Sequence, residues 1–224
     1  MQKYISDSDA LLFLGDMSYD LSKENGEKGN DFFEFAMNVT SSIPFQITPG
    51  NHETFNDFED FKKRLIMPNK QYSDNLYYSY DIGNAHFVSL NSEVPFLNYT
   101  DDYISNYFEW IKQDLEKSDK KWKIVTIHRP LYCSAVSNHC EKSAYIMKDF
   151  FEDIFYNGKV DLVLTGHLHS YERLLPIYNN EIDYNSVIID TNIYFNPRFP
   201  TYVTCGTGGN RDANHMICKL NFFN

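Results

Sequence analysis

Four residues able to bind metals or move protons stand in the loops that follow short, largely apolar runs: Asp16, Asn51, His128 and His167. Carboxylate, amide oxygen and imidazole are borderline-hard donors suited to iron, zinc or manganese, and no thiolate stands among them. His169 follows His167 by two positions, so a chain leaving a strand there can turn two imidazoles into one cleft. Two ions about 3.5–4 Å apart, bridged by a carboxylate, neutralise phosphate oxygens and lower the pKa of a bound water. That is the chemistry of in-line phosphoryl displacement, and it needs no serine nucleophile. Neither a Gly-x-Ser-x-Gly turn nor a phosphate-cradling Gly-x-x-x-x-Gly-Lys occurs. Singly, each residue has a plainer reading: Asp16 as a cap, Asn51 as a turn former, His128 as a satisfied structural histidine. Together, each after an apolar run, they point to a site.

The elements that must position them alternate short apolar runs with amphipathic stretches, an α/β pattern. Residues 10–14, Ala-Leu-Leu-Phe-Leu, read as a buried strand ending at Gly15-Asp16. Residues 45–48 read as a strand running into Pro49-Gly50-Asn51-His52-Glu53, residues 122–127 as one stopping at His128, and residues 160–164 as one stopping before Gly166-His167. Helical spacing covers residues 31–39, with Phe32, Phe35, Ala36 and Val39 on one side, and residues 56–67, with Phe58, Phe61, Leu65 and Ile66. Two further helices are expected over 103–115 and 143–156, the latter closed by Asn157-Gly158. Residues 77–80 and 85–90 alternate around Asp81-Ile82-Gly83-Asn84 as a hairpin would, and 202–205 with 217–220 read as a final strand pair. Four strands thus end at loops holding the four candidate ligands, where open α/β sheets place their sites.

The 224 residues, with neither repeat nor linker, fit one domain. The formal charge of −11 argues against a nucleic-acid backbone as partner, and no run approaches the roughly 18 apolar residues of a membrane span. The N-terminus lacks an apolar signal-peptide core. Other features suit a secretory route. Asn38-Val39-Thr40 and Asn98-Tyr99-Thr100 are glycosylation acceptor patterns. Cys133 and Cys140 flank a short polar loop, where a disulfide is expected, with two free thiols as the alternative. Cys205 and Cys218 complete the cysteines, with no Cys-x-x-Cys pair among the four.

The ordered set Gly15-Asp16-Met17-Ser18-Tyr19, Gly50-Asn51-His52-Glu53, Thr126-Ile127-His128-Arg129-Pro130 and Gly166-His167-Leu168-His169-Ser170-Tyr171-Glu172-Arg173 resembles the calcineurin-like metallophosphoesterases. Tyr19, three residues after the aspartate, is similar to the iron-bound tyrosinate of the purple acid phosphatase branch, where protein serine/threonine phosphatases carry Asp-Arg-Gly. The resemblance runs over roughly residues 9 to 210. It implies a sandwich of two mixed β-sheets flanked by helices. It also implies that Asp16 bridges two metals, that Tyr19 and His169 bind a ferric ion, and that Asn51, His128 and His167 bind a divalent zinc, manganese or iron ion. By the same resemblance His52 contacts phosphate and protonates the leaving alkoxide, and His139 lies near a second substrate-contacting histidine, the alternative being an exposed loop residue. Glu172 and Arg173 are expected to support their loop, and His86 and His215 to be structural or exposed.

The family's first motif, an aspartate on an earlier strand, has no counterpart. Asp7 and Asp9 precede a strand whose four residues span roughly 13 Å, which keeps them from metals at its far end. The first strand is therefore expected to be missing, the domain to be incomplete at both ends, and the ferric site to have three protein ligands. The resemblance implies an acid phosphatase acting on small phosphate monoesters from a secreted, lysosomal or vacuolar location. The alternatives are another calcineurin-like phosphoesterase, such as a diesterase or nucleotidase, or a metal-binding remnant without full turnover.

Overall fold

The computed structural model describes residues 8–68, 70–134, 138–188, 191 and 193–208, without the side chains of 70, 138, 139 and 141. In chain order the elements are β1 (Leu11–Phe13), α1 (Glu27–Thr40), β2 (Phe45–Ile47), α2 (Phe55–Arg64), α3 (Lys70–Ser73), β3 (Tyr78–Ile82), β4 (Ala85–Leu90), α4 (Asp101–Lys117), β5 (Trp122–Ile127), α5 (Asn138–Asn157) and β6 (Leu162–Thr165). Then come the short strands β7 (Tyr171–Arg173), β8 (Ile177–Tyr178), β9 (Glu181–Ile182), β10 (Val187–Ile188) and β11 (Ile193–Tyr194), and finally β12 (Thr201–Cys205).

A mixed six-stranded sheet in the order β3-β4-β5-β6-β12-β7 forms the centre. The β4–β5, β5–β6 and β6–β12 pairs are parallel, so the chain crosses over between β4 and β5 and between β5 and β6 through α4 and α5. One row across the sheet is Val88, Val125, Val163 and Tyr202 in register, all turned into the main core. Onto it pack Tyr107, Ile111 and Leu115 of α4 and Met147, Phe151 and Phe155 of α5, all fully buried and each set repeating every fourth residue. The expected hairpin is β3–β4, paired from Tyr78↔Ser89 to Ile82↔Ala85.

The opposite row carries Ser89 and Thr126, and a second layer docks there. Strands β1 and β2 pair in parallel from Leu11↔Phe45 to Phe13↔Ile47. The Thr48 hydroxyl, just past β2, meets Ser89 Oγ at 2.8 Å and Thr126 Oγ1 at 2.9 Å. Tyr78 on β3 replaces a strand partner for β2, its hydroxyl accepting from Ile47 N at 2.9 Å and donating to Ile47 O at 2.8 Å. Around this junction Met17, Leu21, Ile47, Phe58, Phe61 and Leu65 form a second core cluster.

Three sequence expectations are corrected here. The 10–14 run is only half-buried, because among the described residues β1 pairs with β2 alone. Phe35 is 77% exposed: Arg64 crosses α1 at Gly29 and bonds Gly26 O, which turns the buried stripe towards Phe32, Phe33 and Val39. Ile66 is 81% exposed because the helix ends at Arg64 and Leu65 is extended, so alternation buries Leu65 and Met67 and leaves Ile66 outside. The strand expected over 217–220 lies outside the described residues, as do Asp7, His215 and Cys218. Cys133 and Cys140 form a disulfide that ties the loop after β5 to the start of α5, while Cys205 is a free, exposed thiol. No helix among the described residues is long and apolar enough to cross a membrane.

Candidate metal centre

Strands β1, β2, β5 and β6 each run into a loop whose first polar residues face one point. His128 Nδ1 lies 2.6 Å from the Leu14 carbonyl oxygen, which can only accept, so Nδ1 carries the hydrogen. In the neutral ring this directs the Nε2 lone pair to the opposite side. There it meets Asp16 Oδ2 at 3.0 Å, Asn51 Oδ1 at 3.2 Å and His167 Nδ1 at 3.1 Å. Four metal-capable atoms from four loops therefore converge, His128 almost wholly buried at 1% exposure. The side chains of Asp16, His128 and His167 meet the distance requirement for holding one ion. A cation fits this set of two oxygens and two ring nitrogens, all of them ligand types for a borderline-hard ion.

Two glycines let the loops come this close. A Cβ on Gly50 would sit 2.4 Å from Asp16 Oδ1, and one on Gly15 would sit 2.6 Å from His128 Nδ1. Gly15 also has φ +85, and Asp16, Ser18, Tyr19 and Asp20 after it all have positive φ. This turn brings the Tyr19 hydroxyl 2.5 Å from His169 Nε2, so the tyrosine and the second histidine of the pair form their own contact. Tyr19 also packs against His52, with ring centroids 4.4 Å apart.

His52 reaches the same place through its backbone, its N–H donating to Asp16 Oδ1 at 3.0 Å. Its Nδ1 is 2.8 Å from Asp20 Oδ1, and Asp20 in turn pairs with Lys23 at 2.6 Å. His139 lies in the first turn of α5, and its side chain is outside the described residues. Asp9 is exposed ahead of β1, at the end away from Asp16.

The charges reinforce one another. Burial works against ionised Asp16, yet the His128 ring and the His52 N–H outweigh it and hold the carboxyl at about 2. Burial likewise opposes charging of His128, and the Asp16 carboxylate overcomes it and raises the imidazole above its ordinary value. For Asp20, hydrogen bonds from Lys23 and His52 exceed the desolvation penalty and lower its pKa. Glu53 moves the other way: burial first, then the neighbouring Asp16 charge, push it up to about 7.

Several contributors carry no sequence signal of their role. Glu53 is buried at 4% exposure beneath the ligand loops, although an acid in a turn reads as solvent-facing. Arg129 is gripped through both Nε and Nη2 by the buried Glu93 at 2.8–3.0 Å, lies over the Phe96 ring and sets Nη1 3.3 Å from His167 Nε2. Position 129 stands inside a quoted motif, but Glu93 lies outside every motif. Glu172 accepts from Ser134 N at 3.2 Å, and Arg173 donates to the Tyr194 hydroxyl at 3.2 Å, the supporting parts expected of them. His86 is buried between Asp81 and Asp114 at the other end of β4.

Comparison with known proteins fits this geometry. Residues 1–171 match the family model described as calcineurin-like phosphoesterase, and the chain belongs to that family. The human protein named acid phosphatase type 7 is 37% identical over 215 residues, covering 90% of this chain and 48% of the relative. Purple acid phosphatase 21 of Arabidopsis thaliana is 33% identical over 219 residues, covering 92% and 45%. The chain therefore spans about half the length of the curated relatives it matches. Among solved structures, the purple acid phosphatase from yellow lupin (Lupinus luteus) seeds superposes with a TM-score of 0.76 at 21% identity, over 98% of this chain and 40% of that one. A Plasmodium protein described as the anchor in the inner membrane complex shares the fold at 16% identity, with a TM-score of 0.64 over 97% and 68% of the two chains.

Proposed function

We propose that this chain is the catalytic part of an acid phosphatase hydrolysing small phosphate monoesters at a dinuclear metal centre. The observation that carries the reading is the convergence of the Asp16, Asn51 and His167 side chains on His128 Nε2 from three further loops. Asn51, His128 and His167 would hold a divalent zinc, manganese or iron ion, Tyr19 and His169 a ferric ion, and Asp16 would bridge the two. Such a pair supplies Lewis acidity towards the phosphate oxygens and makes water acidic enough to attack near neutral pH.

The chain's own groups do the rest. The Leu14 carbonyl fixes the His128 ring, and the burial of His128 excludes water behind it. Asp20 accepts from His52 Nδ1–H, which leaves the proton to be delivered on Nε2. As the P–O bond to the alcohol breaks, its electron pair stays on the leaving oxygen and that oxygen takes the proton from His52 Nε2. The identity of the relatives as acid and purple acid phosphatases supports monoesters over diesters. A secretory, lysosomal or vacuolar setting is supported by the Cys133–Cys140 disulfide.

Colour tests the metal assignment. The iron-loaded chain is expected to be violet from tyrosinate-to-iron charge transfer, and Tyr19→Phe to be colourless with its fold intact. A colourless wild type with ferric ion bound would sink the ferric-tyrosinate part of the reading. A second reading has one observation behind it. Among the described residues Tyr19, His169 and Asp16 are the three assigned to that ion, and a chain holding a single ion without turnover is the outcome that would favour a metal-binding remnant.

A further inference from the structure

The site's two glycine loops are joined from below by one side chain. Glu53 Oε2 accepts from Asp16 N at 2.8 Å and from Gly50 N at 2.8 Å, and Oε1 accepts from Met17 N at 2.6 Å. Three backbone N–H groups, two from the Asp16 loop and one from the Asn51 loop, thus end on a single carboxylate at 4% exposure. The Asp16 loop needs such a clamp. Asp16, Ser18, Tyr19 and Asp20 have φ between 49° and 83°. Left-handed backbone is unfavourable for each such residue, so the turn relaxes unless its surroundings over-determine it.

We infer that Glu53 is a positioning residue for the metal centre: it sets the Asp16 and Asn51 loops against each other so that their ligand atoms meet. This rests on reading the site as a metal centre, and it adds a residue that touches neither ion nor substrate. Hydrogen-bond inventory shows why a carboxylate is required. A glutamine at 53 offers one oxygen, so its NH2 group must face either Met17 N or the pair Asp16 N and Gly50 N, donor against donor. An aspartate keeps both oxygens but shortens the reach by one methylene.

The test is Zn2+ affinity of the full chain by chelator competition, with far-UV circular dichroism and thermal melting on each variant. Glu53→Gln is expected to bind Zn2+ about 10–100-fold more weakly than wild type, the usual effect of losing a ligand's supporting partner. Phe155→Leu, a buried change in the last turns of α5, is expected to lower the melting temperature without changing Zn2+ affinity. That contrast separates positioning from general destabilisation. Folded Glu53→Gln with wild-type affinity overturns the inference, as does Phe155→Leu losing affinity in proportion to stability. If Glu53→Gln does not fold, Glu53→Asp decides: weakened binding in a folded chain supports the inference, and wild-type binding overturns it. If neither folds, Glu53 is a folding residue and the assignment fails. Wild type that binds no Zn2+ defeats the metal-centre reading itself, a separate result.

Discussion

Tyr78→Phe is the sharpest probe of how the two sheet layers are joined. The Tyr78 ring is fully buried, so phenylalanine fills the same space and leaves no cavity of note. What disappears is one hydroxyl that accepts from Ile47 N and donates to Ile47 O. The carbonyl keeps a weaker partner in Ser89 Oγ at 3.3 Å, whereas the N–H is left without its acceptor. An orphaned buried donor costs about 1–3 kcal/mol and a lost neutral hydrogen bond about 0.5–1.5 kcal/mol, so the expected loss is about 2–4 kcal/mol. At about 2–4 °C per kcal/mol for a chain of this size, the melting temperature should fall by roughly 5–15 °C. Urea denaturation followed by tryptophan fluorescence and circular dichroism measures it, with Tyr72→Phe, 79% exposed, as the control expected to be silent. A Tyr78→Phe protein within about 0.5 kcal/mol of wild type would refute the view that this hydroxyl stands in for a strand.

Two further outcomes are expected. Asp20→Asn should slow hydrolysis of alkyl phosphates about 10–100-fold more than that of p-nitrophenyl phosphate, whose leaving group needs no proton; equal losses would show that Asp20 does not orient His52 as an acid. His86 has Nδ1 2.8 Å from Asp81 and Nε2 2.9 Å from Asp114, with Lys120 near Asp81 and Lys123 opposite on β5. Only the imidazolium supplies both hydrogens, and the hydrogen bond to Asp114 leads the effects that raise its pKa in the folded chain against the opposing pull of burial. Its contribution is therefore complete below the unfolded value near 6.5 and fades as pH rises through the folded one. His86→Gln should lower stability by about 2–3 kcal/mol at pH 5.5 and by clearly less at pH 9 in urea titrations. A loss independent of pH would rule out the charged clamp.

The parts of this fold that declared themselves in the sequence did so by local pattern. Residues 122–127 read as a buried strand and make β5 with those bounds, buried only from Val125 onward, with Trp122 half exposed. The hairpin followed from alternation around Gly83-Asn84. The short strands β7 to β11 carry too few residues for any period to show. Burial was legible only where neighbours on both sides agree with the pattern. Phe35 and Ile66 look like core residues, and a crossing arginine and a helix end put them outside. At the site, the ligand-type residues were legible because their chemistry is rare and each follows a strand. Glu53, Glu93 and Asp20 were not assigned roles, since their parts depend on which backbone amide or side chain a distant loop brings to them.

Phosphate release from p-nitrophenyl phosphate by the full chain, loaded with iron and zinc and analysed for metal content, tests the central claim most directly. Wild type is expected to release phosphate in proportion to its metal, saturating near two ions per chain, and His167→Ala to lose at least about 100-fold in kcat/KM while still folded. A folded, fully loaded wild type that releases no phosphate, or a His167→Ala variant as active as wild type, would contradict it.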